Sequence, residues 1–242
     1  MADIKKKIEL LNCLTDRYNI RKISMDILNI PIDIINAIVN DNTLTCRDKI
    51  YFISSCNLFF KNIYIDSLSQ NKNINDNILL QPKFYRITCL RMPCNTNISE
   101  ISHLTSLTLL DISSDINLIG QNSINMLHNL RHFDIFNNQN ITNIAHLTNL
   151  TFLNVGRSQI KQNSIDVLLK LQTLRINANK YITNIAHLTK LTALSISYTN
   201  INQASIDNLY SLTWLYSVGN RGISTSHLTN LEVLNGVKIK KL

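Results

Sequence analysis

A string of thirteen residues that the chain repeats constrains its fold more than any other feature. NIAHLTNLTFLNV at 143–155 recurs almost letter for letter as NIAHLTKLTALSI at 184–196. The triplet His-Leu-Thr begins at His103, His146, His187 and His227, with spacings of 43, 41 and 40 residues. A related string, Ser-Ile-x-x-Leu, begins at Ser123, Ser164 and Ser205, each 41 residues apart. A unit this short cannot bury its own apolar face, so we predict units that stack into a solenoid.

Both strings fit one frame, Leu-x-x-Leu-x-x-Leu-x-Ile, which occurs eight times with an average spacing of about 21 residues. Its first apolar positions are Phe84, Leu104, Leu127, Leu147, Leu168, Leu188, Leu209 and Leu228. In the segment LRHFDIFNN, Leu130, Phe133 and Ile135 have the spacing at which a short strand turns alternate residues toward a core. The frame therefore predicts one short strand per unit, and the strands form a parallel sheet.

A small polar residue follows the last core position of the strand in nearly every unit. These residues are Asn95, Asp115, Asn138, Ser158, Asn179, Thr199 and Asn220. An asparagine amide can donate and accept hydrogen bonds, so it satisfies backbone groups that an inward turn removes from water. Frame and asparagine ladder together resemble the leucine-rich-repeat family from Phe84 to the C-terminus. The pattern departs from the family at Ile239, where the last unit should be a cap.

The Ser-Ile-x-x-Leu units predict a helical turn on the convex side of the solenoid. Ser123, Ser164 and Ser205 have the residue type of helix N-caps. The Ile and Leu of each string lie three residues apart and so share one helical face. We therefore expect alternate units to carry a short helix capped by serine.

Composition excludes several classes of protein. The chain of 242 residues is 45% apolar, has no apolar run long enough to span a membrane and lacks a signal peptide, so we expect a cytoplasmic protein, with the nucleus as an alternative. Its five cysteines show no paired spacing, which favours reduced thiols over disulfides or zinc. The net charge of +8 comes from scattered residues, with short clusters at 5–7 and 238–241, so neither nucleic acid nor membrane is expected as a partner.

The four repeated histidines, at 103, 146, 187 and 227, could suggest a metal site. Successive copies lie two units apart, and strands in a sheet are about 4.8 Å apart, so the imidazoles should be roughly 10 Å apart. Bonds from zinc to nitrogen are about 2 Å long, so one ion could not collect them. We expect these histidines to be structural, with no metal and no cofactor.

The sequence also lacks the motifs of common enzymes. It contains no Gly-rich phosphate loop, no His-Glu-x-x-His and no Gly-x-Ser-x-Gly, and the whole chain has five glycines. We therefore predict no catalytic residues. In a solenoid, the outward strand residues of the concave face carry the binding function, since each unit adds one side chain to each column of that sheet.

Aromatic and charged residues flank the core positions of the predicted strands. The predicted partner-binding residues are His132, Asp134, Phe136, Phe152, Asn154, Arg175, Trp214 and Tyr216. Arg91, Asp111, Asn177, Ser195 and Ser197 occupy the same kind of position. Exposed rings are costly unless a partner covers them, and Trp, Tyr and Arg are favoured as interface anchors. The alternatives are that loops shield the rings or that the predicted register is wrong by one residue.

Residues 26–65 have a different apolar rhythm and no leucine-rich frame. The segment IPIDIINAIV at 30–39 resembles the opening of an F-box, Leu-Pro-x-Glu-Ile-x-x-x-Ile-Leu, and DKIYFISSCNLFF at 48–60 resembles its second half. The departures are Ile30 for the usual Leu, Asp33 for Glu, Ser55 for Val and a polar middle. The resemblance implies a small all-α domain whose adaptor-binding residues are Ile30, Pro31, Ile34, Ile35 and Ile38. The alternative is a helical cap on the solenoid.

An F-box before leucine-rich repeats implies a substrate receptor. Such a protein docks on a Skp1-like adaptor of a cullin ubiquitin ligase and holds a target protein on its concave face. It makes no bonds itself, and it would be a monomer outside the complex. The alternative is a scaffold or decoy that binds a partner without a ligase. The Asn- and Ile-rich composition resembles that of large DNA viruses and AT-rich eukaryotes.

These inferences predict an α/β chain in four parts. Residues 1–25 form an N-terminal helical extension, 26–65 an F-box-like domain, 66–83 a connector, and 84–242 a leucine-rich-repeat solenoid of about eight units.

Overall fold

The computed structural model describes residues 67–69, 74–220 and 222–239. The F-box-like segment lies outside these residues, and so do the predicted adaptor-binding side chains Ile30, Pro31, Ile34, Ile35 and Ile38. The described strands are β1 Ser67–Ser69, β2 Cys89–Arg91, β3 Leu109–Asp111, β4 His132–Asp134, β5 Phe152–Asn154, β6 Thr173–Arg175, β7 Ala193–Ser195, β8 Trp214–Tyr216, β9 Val233–Leu234 and β10 Val237–Lys238. The described helices are α1 Asp76–Leu79, α2 Gln121–Ile124 and α3 Gln162–Ile165, with 3-10 turns at Pro82–Phe84 and Gln203–Ser205.

All described strands belong to one sheet, ordered as they occur in the chain. Each strand from β1 to β8 is parallel to the next, and β10 folds back antiparallel on β9. Val233–Leu234 and Val237–Lys238 thus form a hairpin that covers the last parallel strand, at the end of the chain where the sequence departs from the repeat. The antiparallel β10 thus pairs with the edge of β9 that the parallel series leaves open.

The core is a single column of aliphatic side chains inside the coil. All eight predicted anchor positions, from Phe84 to Leu228, are buried. Leu130, Phe133 and Ile135 are fully buried, and so are the corresponding residues of neighbouring units. The alternating pattern of Leu and Ile in the sequence therefore specifies the leucine-rich-repeat architecture that it predicted.

The sheet begins before the boundary that we predicted at residue 84. Strand Ser67–Ser69 pairs in parallel with Cys89–Arg91, and Leu68, Ile74 and Leu79 are fully buried in the common core. The described part of 66–83 is therefore the first coil of the solenoid rather than a connector. The polar Asn-rich composition concealed it, because the three core residues are widely spaced in the sequence.

The asparagine ladder is present, with one position corrected. Asn179 donates through Nδ2 to Val155 O (3.2 Å) and Ile160 O (3.1 Å) of the preceding unit and accepts from Tyr181 N (2.9 Å). Asn95 and Asn220 make comparable links to Ile74 O and Ile201 O. Asn138, Ser158 and Thr199 occupy the remaining positions, but these bonds stay within their own units, and Nδ2 of Asn138 has no hydrogen-bond partner among the described residues.

The unit of β3 departs from the predicted ladder. Asp115 is exposed, whereas Asn117 is buried and donates to Met92 O (3.2 Å). In this unit the ladder residue follows the middle of the strand by seven residues, whereas Asn138 follows Phe133 by five. The insertion displaced our register, because we placed the ladder residue at a constant distance from the strand.

The serines of the Ser-Ile-x-x-Leu units are not N-caps. Helices α2 and α3 begin after Gly120 and Lys161, so Ser123 and Ser164 lie inside the turn and are buried. Ser123 Oγ donates to Ser99 O (2.8 Å), and Ser205 Oγ donates to Thr183 O (3.1 Å). A small hydroxyl is needed at this position because it bonds to the backbone of the preceding coil at close range.

Glutamines at the start of the same turns join each of these units to the following unit. Gln162 Oε1 accepts from Thr183 N (2.9 Å) and Asn184 N (3.0 Å), and its Nε2 donates to Asn184 O (2.7 Å). Gln121 makes the same set of bonds to Thr142 and Asn143. This arrangement occurs in every second unit and accounts for the repeat of about 41 residues in the sequence.

We expect Gln162→Ala to lower the free energy of unfolding by about 2 kcal/mol, because it leaves three backbone groups without their partner. Gln172→Ala is the matched control, since Gln172 is exposed and its backbone, not its side chain, bonds to the neighbouring strands. Urea unfolding followed by circular dichroism measures both variants. Equal losses in the two variants would show that the Gln162 bonds do not stabilise the stack.

Three of the repeated histidines bond to the preceding unit. His103 Nε2 lies 3.0 Å from Leu79 O, His146 Nε2 3.1 Å from Ile124 O, and His227 Nε2 3.3 Å from Ile206 O. His187 Nε2 is buried and has no hydrogen-bond partner among the described residues. The described chain contains no group of three metal-binding side chains, and none of its helices has the length and apolar character to cross a bilayer.

Candidate functional site

In strands β2 to β8 the middle residue is buried, and the first and third residues lie on the opposite face of the sheet. We call the surface formed by these residues the outward sheet face; it corresponds to the predicted concave face. Parallel register aligns its residues in two rows across the strands. The first row from β4 to β8 is His132, Phe152, Thr173, Ala193 and Trp214. The second row is Asp134, Asn154, Arg175, Ser195 and Tyr216.

Seven of the eight predicted partner-binding residues lie in these rows. Phe136 lies two residues beyond the end of β4. Arg175 is exposed, and the other seven are half-buried. The predicted register was therefore correct, and neighbouring side chains cover the rings in part. In the first row His132 lies beside Phe152 on the neighbouring strand. Trp214, on β8, lies three strands beyond Phe152.

His132 and Phe152 form a stacked pair on neighbouring strands. Their ring centroids are 3.8 Å apart and their planes differ by 2°. The guanidinium carbon of Arg175 lies 5.4 Å from the centroid of the Phe152 ring. Burial, and next the positive charge of Arg91, lowers the pKa of His132. The imidazole is therefore neutral at physiological pH, and the pair forms a flat, uncharged aromatic surface beside a cation.

Asp134 lies next to this pair and is held by two hydrogen bonds. Its carboxylate accepts from Phe136 N (3.0 Å) and from Asn154 Nδ2 (3.0 Å). Burial raises the pKa of Asp134, and these two bonds oppose the shift. Each carboxylate oxygen accepts one bond within the protein, and these bonds fix the orientation of Asp134, Phe136 and Asn154 relative to one another.

Phe136 lies against a glycine of the next unit. A Cβ atom added to Gly156 would be 2.9 Å from Cδ2 of Phe136 and 2.9 Å from Asn177 O, so no side chain fits there. The guanidinium carbon of Arg157 lies 5.8 Å from the centroid of the Phe136 ring. Phe136 is thus fixed between two units, and a second cation lies close to the outward sheet face.

Trp214 and Tyr216 form a second aromatic cluster on β8. Their ring centroids are 6.0 Å apart and their planes differ by 14°. Their neighbours on β7, Ala193 and Ser195, are small, and Ser195 is only 3% exposed. The large rings therefore rise above a strand of small residues. Trp214 is also the single tryptophan of the chain.

The sequence prediction missed some of this arrangement. Ser195 and Ser197 are buried. Ser195 Oγ and Ser197 N both donate to Asn177 Oδ1 (2.8 Å each), so these two residues stabilise the face and do not present a side chain to a partner. The roles of Gly156 and Arg157 were not predicted. A glycine where every other unit carries a side chain, in a chain with five glycines, was the signal that could have indicated them.

Comparisons with known proteins identify the fold. No family model matches the chain, and no curated protein matches its sequence. Internalin C2 of Listeria monocytogenes superposes with a TM-score of 0.58 at 23% identity, over 79% of this chain and 83% of that one. Internalin InlF of the same organism gives 0.54 at 22%, over 72% of this chain and 61% of the internalin. A leucine-rich-repeat protein of Leptospira interrogans gives 0.51 at 21%, over 72% and 55%.

At these identities the superpositions establish the fold alone. The chain spans about three fifths of the length of InlF. Repeat frame, ladder, sheet and structural neighbours agree, and they define the described part of the chain as a leucine-rich-repeat solenoid.

Proposed function

We propose that the chain is a protein-binding solenoid whose outward sheet face recognises its partner. The observation that carries this proposal is the concentration of rings and cations on one face. His132, Phe152 and Trp214 contribute nothing to the aliphatic core, yet they are aligned in a single row. Aromatic and Arg side chains supply most of the binding energy at protein interfaces. An open row of such residues suits an extended surface or segment of a protein.

A photo-reactive benzoylphenylalanine in place of Thr173 tests this proposal in the full chain. Thr173 lies between Phe152 and Ala193 in the first row, whereas Asn163 is exposed on helix α3, outside the sheet. We expect irradiation in eukaryotic cells to yield covalent protein adducts from position 173 and none from position 163. Adducts that form only from position 163 would assign binding to the helical side instead.

A second candidate extends the first and rests on the sequence at 30–39. If this segment is an F-box, the chain is a substrate receptor that recruits its partner to a Skp1-like adaptor and a cullin ligase for ubiquitination. The chain then acts through proximity, because it raises the effective concentration of a target lysine near the conjugating enzyme. Without adaptor binding, the chain is a scaffold or decoy.

Co-purification of the full chain with a Skp1-like adaptor separates these two possibilities. We expect Pro31→Ala combined with Ile34→Asp to abolish adaptor binding, since both positions match the F-box motif. Phe152→Ala is the matched control and should retain adaptor binding, because it changes only the sheet face. Failure of the folded wild-type chain to bind the adaptor would exclude the ligase role and leave partner binding intact.

A further inference from the structure

Between β5 and β8 the outward sheet face has an uneven distribution of charge. Its rows there contain Phe152, Asn154, Thr173, Arg175, Ala193, Ser195, Trp214 and Tyr216. Arg175 is the one charged side chain in this set. The carboxylates of the face, Asp111 and Asp134, lie on β3 and β4. This half of the face therefore presents one cation among rings and small polar groups.

Arg175 is exposed and held in place by the Phe152 ring beneath it. A guanidinium offers five N–H donors, and its fork matches a carboxylate. Among the described residues no carboxylate forms an ion pair with Arg175. The backbones of Asp134 and Arg175 are two strands apart, roughly 10 Å, and the charge of Arg175 acts to lower the pKa of Asp134 without a hydrogen bond between them. The donors of Arg175 are therefore available to an acceptor from outside.

The aromatic pair Trp214 and Tyr216 lies two strands from Arg175 on the other side, again roughly 10 Å away. Between them β7 exposes only small side chains, so a bound segment can cross it without obstruction. An extended segment in the polyproline II conformation advances about 3.1 Å per residue with three residues per turn, so its side chains three residues apart lie on one face about 9 Å from each other. A cation and an apolar surface at this separation match two such side chains.

We propose that β5 to β8 bind an acidic extended segment of the partner protein, with a carboxylate on Arg175 and an aromatic or aliphatic side chain on Trp214 and Tyr216. This proposal rests on the proposed function and adds the chemical character of the segment that the partner presents. Single-stranded nucleic acid also stacks on rings, but its phosphates require a series of cations. Here Arg175 and Arg157 are the cations near the rings of β4 and β5, and two cations do not form such a series.

The test selects a random dodecapeptide phage library on the full-length chain, in parallel with the same selection on Arg175→Gln. We expect the wild-type selection to enrich peptides with Asp or Glu about three residues from an aromatic or aliphatic residue. Enriched peptides are then titrated while tryptophan emission is recorded. Trp214 is the single tryptophan, so its emission reports this site without a label.

We expect the peptides to shift the emission of Trp214 and to bind Arg175→Gln at least about tenfold more weakly. Lys190→Gln is the matched control: it removes one exposed positive charge outside the strands and should leave affinity unchanged. Higher salt should weaken binding to the wild type, since the carboxylate contact is screened. The proposal is overturned if the selection enriches no peptide, and also if the enriched peptides are basic or neutral.

Two further outcomes separate this proposal from the proposed function. A neutral peptide that shifts Trp214 emission without dependence on Arg175 overturns the acidic partner and leaves protein binding at this face intact. A short oligothymidylate that shifts the emission, with affinity lost in Arg175→Gln, overturns both in favour of nucleic acid. Adducts confined to position 163 in the cross-linking experiment would contradict the proposed function independently of any peptide.

Discussion

Asn179→Ala is expected to lower the free energy of unfolding by about 3 to 4 kcal/mol, the largest loss we predict for a single polar side chain. Asn179 is 1% exposed and bonds to Val155 O, Ile160 O and Tyr181 N. Truncation leaves Ile160 O and the buried Ile182 N without these partners, whereas Val155 O keeps its bonds from Ser158. Urea unfolding of the full chain, followed by circular dichroism, measures the effect.

Asn138→Ala is the matched control at the equivalent position of another unit. Asn138 is fully buried and accepts from Asn140 N (2.8 Å), but its Nδ2 has no hydrogen-bond partner among the described residues. We therefore expect a smaller loss, about 1 to 2 kcal/mol. Equal losses at the two positions would contradict the ladder account, because volume alone would then explain both.

The largest functional effect is expected from Phe152→Ala combined with Trp214→Ala. Each ring is half-buried on the outward sheet face, and aromatic anchors of this kind contribute about 2 kcal/mol or more apiece to binding. We expect the affinity for a partner captured through position 173 to fall at least about a hundredfold. Calorimetry with the purified partner measures the change.

Tyr210→Ala is the matched control for the loss of an exposed ring. Tyr210 is 56% exposed and lies outside the strands, with its ring edge-on to His227. Its removal should leave the affinity unchanged. If Tyr210→Ala weakened binding as much as the double variant does, the partner would contact the other side of the coil. Circular dichroism of both variants establishes that they are folded.

Periodicity in the sequence was sufficient to predict the core and the register of the strands. Leu130, Phe133 and Ile135 are buried as expected because alternation in a strand depends only on local geometry. The same local rule correctly placed Phe152 and Trp214 on the outward face. Their partial burial, in contrast, depends on which side chains the neighbouring units bring beside them, and the sequence of one unit does not contain that information.

Predictions that required contacts between units were less successful. Ser123 was interpreted as an N-cap because its residue type suits one, but it bonds to Ser99 O of the preceding coil. Asp115 was predicted as the ladder residue because we assumed a constant loop length, whereas the buried residue of this unit is Asn117. Gln162 was not noticed, although QNSI occurs at both 121–124 and 162–165. In each case the partner is about twenty residues away, so pairwise spacing within a unit could not reveal it.

The most direct test of the account is hydroxyl-radical footprinting of the full chain, alone and with its captured partner. We expect the partner to protect Phe152, Trp214 and Tyr216 and to leave the oxidation of Tyr85 and Tyr210 unchanged. The last two rings are 44% and 56% exposed and lie outside the strands, so they serve as internal references. Protection of Tyr85 and Tyr210 with none at Phe152 or Trp214 would contradict recognition by the outward sheet face.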